Sequence, residues 1–203
     1  MAETKNKKGH LEVICGSMFS GKSEEMIRRL RRAEIARQKI LVFKHSLDTR
    51  QTIEYVISHN GNKIKAFAVS QAGEIQDLVD LATIDIIGVD EVQFFSPEIV
   101  ATLCRFVEHG KRVIIAGLDL DFRGVPFGSM PHLMAIADSV TKLNAVCIQC
   151  GDSAHFSQRL INNQPAKFDD PIVFVGAEEF YQARCRNCFI LDRSPAPRQH
   201  ELF

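Results

Sequence analysis

An imbalance of charge is the first thing this sequence lacks. Its 203 residues carry 25 Lys and Arg against 25 Asp and Glu, a formal net charge of zero. A dedicated nucleic-acid binder usually carries a basic surplus, so the balance argues against that class and no nucleic-acid partner is expected. No run of about 18 or more apolar residues exists, so no transmembrane helix and no membrane partner are expected. The opening stretch MAETKNKKGH is basic but lacks the apolar centre of a signal peptide. Internal repeats and low-complexity tracts are also missing. These absences lead to the expectation of a cytoplasmic protein. In that compartment the six cysteines stay reduced or bind metal rather than form a disulfide framework.

What is present is 45% hydrophobic residues, enough for a sizeable core, in a length that fits one domain with a small appendage. The most specific feature is the run Gly16, Ser17, Met18, Phe19, Ser20, Gly21, Lys22, Ser23, which fits the phosphate-loop pattern G-x-x-x-x-G-K-[ST] without a mismatch. The two glycines let the backbone curl until successive N–H groups point at an anion. Lys22 supplies a point charge for the β- and γ-phosphates, and Ser23 a hydroxyl for Mg²⁺. Leu11–Cys15 reads as the strand before the loop. Ser23–Arg37 reads as the helix after it, with Met26, Ile27, Leu30 and Ala33 at helical spacing. A phosphate at this helix start is favoured by the dipole.

From residue 11 to about 143, apolar runs alternate with helical patterns. Strands are expected at Ile40–Phe43, Ala66–Val69, Ile84–Asp90, Val113–Ala116 and Ser139–Leu143. Helices are expected from Ser70 to Leu81 and from Ser96, as N-cap with Pro97 at the first position, to Glu108. This alternation predicts an α/β fold, a P-loop NTPase-like, mostly parallel sheet with helices on both faces. Gly117–Pro131 is expected to be a long functional loop. The predicted boundaries are a flexible N-terminus at 1–10, a nucleotide-binding domain at 11–143, a zinc-binding lid domain at 144–192 and a flexible tail at 193–203.

Asp90 and Glu91 follow the apolar run Ile86–Val89. A carboxylate at such a strand end helps to hold Mg²⁺, directly or through water, and Asp90 is the candidate. Glu91 is the candidate base that accepts a proton from an attacking hydroxyl. Two solvated acids opening a loop are the alternative when the pair is taken alone.

Cys147, Cys150, Cys185 and Cys188 form two C-x-x-C pairs, a set that suits a tetrahedral structural Zn²⁺. Two unrelated pairs, or a redox dithiol, are the alternative. Thirty-four residues lie between Cys150 and Cys185, more than a compact ribbon needs. A loop of that size tied at its base by metal is a natural lid. Cys15 and Cys104 read as core residues.

The assembled motifs resemble the thymidine kinases of the cytosolic, zinc-containing (type II) kind. The likeness covers the phosphate loop with its central Met18 and Phe19, Asp48-Thr-Arg50, Asp90-Glu-Val-Gln-Phe-Phe95, Leu118-Asp with Pro126-Phe-Gly128, and the run from Ala177 to Phe189. Ser17 stands where some members have proline, and Ala177 where many have a second glycine. The resemblance implies ATP-dependent phosphorylation of the 5′-hydroxyl of thymidine, and of deoxyuridine, in nucleotide salvage. It makes Glu91 the base, with Lys22 and Arg50 stabilising the transferred phosphoryl, and Ser23 and Asp90 holding Mg²⁺. It sets Asp48 near the sugar and Met18, Phe94, Leu118 and Phe122 around the base. Phe174, Val175 and Gly176 of the lid (lasso) loop would cover the base, with Tyr181 packing there. It also implies a homotetramer and feedback inhibition by thymidine triphosphate.

Residue by residue, phosphoryl transfer follows from the loop and the acidic pair, but thymine does not. For any one of Phe94, Phe122 and Phe174 a core position is the more common case, and Arg50 also reads as a surface arginine. The basic run Arg28-Arg-Leu-Arg-Arg32 reads as a solvated or subunit-contacting helix face. A rival class is an ATP-driven nucleic-acid module gripping through the zinc ribbon, which the acidic residues between Cys150 and Cys185 disfavour. A non-catalytic nucleotide sensor is a third reading, opposed by the intact Lys22, Ser23, Asp90 and Glu91.

Overall fold

Side chains along β1 (His10–Gly16) alternate between two cores. Leu11, Val13 and Cys15 enter one apolar cluster, while Ile14 enters the other. A strand buried on both faces must be central, with helices above and below it. The computed structural model describes residues 8–46, 53–57, 61, 63–172 and 179–193. After β1 the chain runs through α1 (Lys22–Ile35), β2 (Ile40–His45), β3 (Ile53–Ile57), β4 (Lys63–Val69), α2 (Ala72–Leu78), β5 (Ile86–Asp90), α3 (Glu98–Glu108), β6 (Arg112–Gly117), α4 (Met130–Ile136) and β7 (Ser139–Leu143).

These strands form one sheet in the order β3-β4-β2-β5-β6-β1-β7. Every pairing is parallel except β3 with β4. Helix α1 covers one face, burying Met26, Ile27, Leu30 and Ala33 with Val42, Ile86 and Ile114. Elements α2, α3 and α4 cover the other, where Ile75, Ile99, Leu103 and Leu133 meet Phe43, Ile87 and Val113. Truncating one such fully buried leucine to alanine costs about 2–5 kcal/mol. The predicted mostly parallel α/β sheet is the observed one.

The differences from the sequence reading lie at element ends and edges. No strand is predicted at 53–57, although Ile, Tyr and Val there are β-formers; antiparallel pairing to β4 makes it one. Helix α2 is shorter than predicted, because Val79 adopts an extended conformation. Its start is fixed by the Glu74 carboxylate, which accepts from Ser70 N and Gln71 N. Helix α3 begins at Glu98, and the Ser96 hydroxyl bonds the Glu98 carboxylate instead of a backbone N–H. The long loop ends sooner than predicted, since Met130 and Pro131 open α4. Cys15 is core as expected, whereas Cys104 is half-buried.

The basic run on α1 is not simply a solvated face. Arg29 reaches inward, with Nη1 2.8 Å from Glu12 Oε2 and Nη2 2.8 Å from Thr141 Oγ1. Glu12 also takes Arg112 Nε at 2.5 Å. This knot joins α1 to β1, β6 and β7.

Beyond β7 come β8 (Ala145–Val146), β9 (Ser153–Ala154), β10 (Phe156–Ile161), β11 (Gln164–Pro165) and β12 (Glu179–Arg184). β10 lies between β11 and β12, antiparallel to both, and β8 pairs with β9. Asp48, Arg50, Phe174, Val175 and Gly176 lie outside the described residues.

Candidate active site

The carboxyl ends of the parallel strands converge on one edge of the sheet, where such folds bind ligands. β1 delivers the phosphate loop there, and β5 delivers Asp90. Gly21 caps α1 in the left-handed conformation, at φ 84°, where a side chain is strained. Phe19 takes φ 65° within the loop and is 55% exposed, so it packs into no core. Lys22 Nζ donates to the Ser17 carbonyl at 2.8 Å, as does Ser20 Oγ. Burial lowers the Lys22 pKa, against the opposing pull of Glu91, Asp90 and Asp119. Lys22 therefore sits among three carboxylates on a loop built for anions.

Ser23 Oγ donates to Asp90 Oδ2 at 3.3 Å. Hydroxyl and carboxylate oxygens at this spacing are the hard donors that Mg²⁺ prefers. Asp90 is buried, and that burial, reinforced by the neighbouring Glu91 charge, raises its pKa to about 7. A buried acid whose ionised form is disfavoured gains from a nearby cation. Glu91 is held differently. Its backbone is left-handed, at φ 55° and ψ 39°, a conformation that costs a non-glycine residue about 1 kcal/mol or more. Its Oε2 accepts from Gln93 Nε2 at 2.6 Å. The two adjacent acids thus have separate partners.

Gln93 is buried and also takes the Leu118 N–H on Oε1 at 3.0 Å. Gly117 makes the room for this, because a Cβ there would lie 2.6 Å from Gln93 Oε1. The loop after β6 folds back through a Leu120–Pro126 bridge. Asp121 stabilises it by accepting from the backbone of Arg123 and Val125. Phe94 meets Phe127 edge-to-face at 5.3 Å, and His45 lies 5.9 Å from Phe94. Burial lowers the His45 pKa, so the ring favours its neutral form. Phe122 is buried beneath Arg159 at 3.6 Å.

The C-terminal strands close over the phosphate loop. Met18 N donates to Ser157 Oγ at 2.9 Å, and Ser17 Oγ to the Ala154 carbonyl at 3.2 Å. Tyr181 stands opposite Arg159 in the β10–β12 register. The sulfurs of Cys147, Cys150, Cys185 and Cys188 lie within 4.8 Å of one another. A tetrahedron with Zn–S bonds of about 2.3 Å spaces its sulfurs about 3.8 Å apart, so the cluster fits. At Cys147, burial works against ionisation, but backbone N–H groups of Cys185, Gln149 and Cys150 bring the thiol down to about 6.

Lys22, Ser23, Asp90, Glu91, Met18, Phe94, Leu118 and Phe122 are therefore all at or next to one edge of the sheet. Gln93, Phe127, His45, Ser157 and Arg159 are additions. Gln93 and Phe127 lie within recognised motifs, but nothing in those motifs assigns them a partner. Ser157 carries no local signal, because its partner Met18 is 139 residues away.

A phosphate loop after one central strand and a buried aspartate after another define a P-loop nucleoside-triphosphate-binding protein. Compared with models of known protein families, residues 9–189 match thymidine kinase. The chain belongs to the thymidine kinase family, and is a phosphotransferase that uses ATP, with Mg²⁺, to phosphorylate thymidine in nucleotide salvage. Among the described residues no helix is long and apolar enough to cross a membrane.

Proposed function

We propose that Glu91 is the catalytic base of this kinase and that the edge of the sheet between β1 and β5 is where transfer occurs. The 5′-hydroxyl oxygen bonds to the γ-phosphorus as the bond to the β–γ bridging oxygen breaks. The hydroxyl proton passes to Glu91, and ADP leaves. The carrying observation is the division of the acidic pair: Asp90 bonds Ser23, while Glu91 bonds Gln93. One carboxylate faces the phosphate loop and the other is free of that duty. Mg²⁺, when bound, neutralises charge on the β- and γ-phosphates, and Ser23 and Asp90 are the residues to hold it. Gly16–Ser23 cradle the triphosphate, and Lys22 and Arg50 stabilise the moving phosphoryl.

Met18, Phe94, Leu118, Phe122 and Tyr181 form the acceptor pocket in this reading, with Asp48 near the sugar and Phe174, Val175 and Gly176 over the base. Deoxyuridine is a second acceptor, since it differs from thymidine only by a methyl group. The Cys147, Cys150, Cys185 and Cys188 thiolates hold one structural Zn²⁺ and tie the base of the lid together within the 144–192 unit. A cytoplasmic homotetramer restrained by thymidine triphosphate completes the reading and rests on the family likeness. The test is Glu91→Gln, which should retain ATP binding but lose about 10²–10⁴-fold in kcat. Near-normal turnover would reject the base. A panel of nucleosides in the same assay decides the acceptor range.

A further inference from the structure

Arg159 is fully buried, at 0% exposure in β10, yet it has no part in the transfer chemistry proposed above. Burying a guanidinium is costly unless hydrogen bonds and geometry compensate it. Here they do. Nη1 donates to the Pro171 carbonyl at 2.7 Å and to the Ile172 carbonyl at 3.3 Å. The guanidinium carbon lies 3.6 Å from the centroid of the Phe122 ring. Only a planar cation can cover a ring at that distance while bonding carbonyls through its edge. An aliphatic side chain would fill the space without the desolvation cost, but it would not hold the ring electrostatically.

The ring needs an outside hold. Phe122 lies in the irregular segment between β6 and α4, where no regular strand or helix fixes its orientation. Its neighbour Arg123 is paired with Asp121 at 2.6 Å and comes no nearer than 5.9 Å to the centroid of the Phe122 ring. β10, by contrast, is paired on both edges. Two residues before Arg159, and so on the same face of that strand, Ser157 holds the Met18 N–H. One face of β10 therefore reaches both the phosphate loop and the acceptor loop.

We propose that Arg159 is a positioning residue for the nucleoside acceptor, locking Phe122 through a face-on cation–π contact that the carbonyls of Pro171 and Ile172 hold in register. This rests on the reading of Phe122 as a wall of the acceptor pocket. Arg159 acts through that ring, so its removal should weaken acceptor use more than donor use.

The experiment is steady-state kinetics on the full chain, with thymidine and ATP varied separately. The variants are Arg159→Met, Arg159→Lys, Phe122→Leu and the double variant Arg159→Met/Phe122→Leu. Arg159→Met should raise the thymidine KM about tenfold and leave the ATP KM within about twofold, as expected for loss of a desolvated cation–π contact. Arg159→Lys should fall between, since an ammonium cannot lie flat on the ring. In the Phe122→Leu background the arginine replacement should add little. Equal effects in both backgrounds, parallel rises in both KM values, or an unchanged thymidine KM would overturn the proposal. Phe122→Leu with a normal thymidine KM would remove the pocket-wall reading and the proposal with it. A raised KM in Phe122→Leu but not in Arg159→Met would overturn the proposal alone. If Arg159→Met does not fold by circular dichroism, stepwise fluorination of the phenylalanine at 122 weakens the ring's negative face and keeps its shape. The thymidine KM should then rise step by step, and a flat series would overturn the proposal.

Discussion

Gln93 Nε2 donates to Glu91 Oε2 at 2.6 Å, while the other end of the same amide takes the Leu118 N–H at 3.0 Å. A carboxylate only accepts and a backbone N–H only donates, so the amide has a single satisfactory orientation. It fixes the carboxylate of Glu91 relative to the loop that carries Leu118. Replacing Gln93 with leucine leaves the Leu118 N–H without this acceptor and Glu91 without its hydrogen-bond donor. We expect kcat to fall about 10–100-fold, the scale of a displaced catalytic group, with the ATP KM little changed. Steady-state kinetics check this, and an unchanged kcat would remove Gln93 from the machinery.

Asp90 gives the opposite balance between stability and activity. Its folded-state pKa, raised to about 7 from an ordinary 3.8, means that burial opposes its ionised form. The unfolded chain ionises freely, so this group's cost to stability grows as pH rises from 3.8 and is complete above 7. Asp90→Asn removes that cost; its amide oxygen can accept from Glu91 N while its NH2 group donates to the Ser23 hydroxyl. Without added metal, its Tm above pH 7 should exceed that of the parent, while Mg²⁺-dependent turnover collapses. Thermal melts across the pH range, beside an activity assay, test both halves.

Two arginines one residue apart should behave very differently. The Arg28 side chain is 54% exposed and pairs with Glu25, the arrangement worth about 0–1 kcal/mol. The Arg29 side chain is 14% exposed and bonds Glu12, itself 9% exposed. Removing one partner of a buried pair costs about 3–5 kcal/mol. Arg29→Ala should therefore lower stability by a few kcal/mol, and Arg28→Ala by under about 1 kcal/mol, in denaturant titrations. Burial alone would raise the Glu12 pKa, but Arg112 and then Arg29 pull it below 4.5. Its stabilising contribution is thus present above pH 4.5 and is lost as pH falls below that value. In Glu12→Gln that part of the acid loss should disappear.

The four-thiol cluster predicts one zinc per chain by elemental analysis of freshly purified protein. Structural zinc contributes about 10–16 kcal/mol of apparent binding energy in small zinc folds. Cys150→Ser, or prolonged chelation, should therefore loosen β8–β12 while the seven-stranded sheet persists. Hydrogen exchange should rise first in residues 145–188. Because Ser157 and Ala154 bond the phosphate loop, some loss of nucleotide affinity should follow.

Local chemistry made much of this protein readable from its sequence. Gly16–Ser23 fit one loop geometry, because that spacing of glycines, lysine and hydroxyl turns backbone N–H groups, a cation and a metal ligand toward a single phosphate chain. The Cys147–Cys150 and Cys185–Cys188 pairs announced a metal-sized cluster, since four thiols at such spacing have few other uses. Apolar runs marked the central strands, since a strand covered on both faces buries nearly all of its side chains. Tertiary structure decided what depends on meetings between distant segments. The place of β3 at the sheet edge comes from pairing with β4. Arg29 became an internal ion-pair residue because β1 and β7 bring Glu12 and Thr141 to it. The Gln93 bridge exists because β5 and β6 are neighbours, and Arg159 covers Phe122 because β10 packs over the loop that follows β6. A periodicity or a motif records what each residue needs within about one turn of chain, whereas the partner of a buried polar side chain is set by the path of the whole fold.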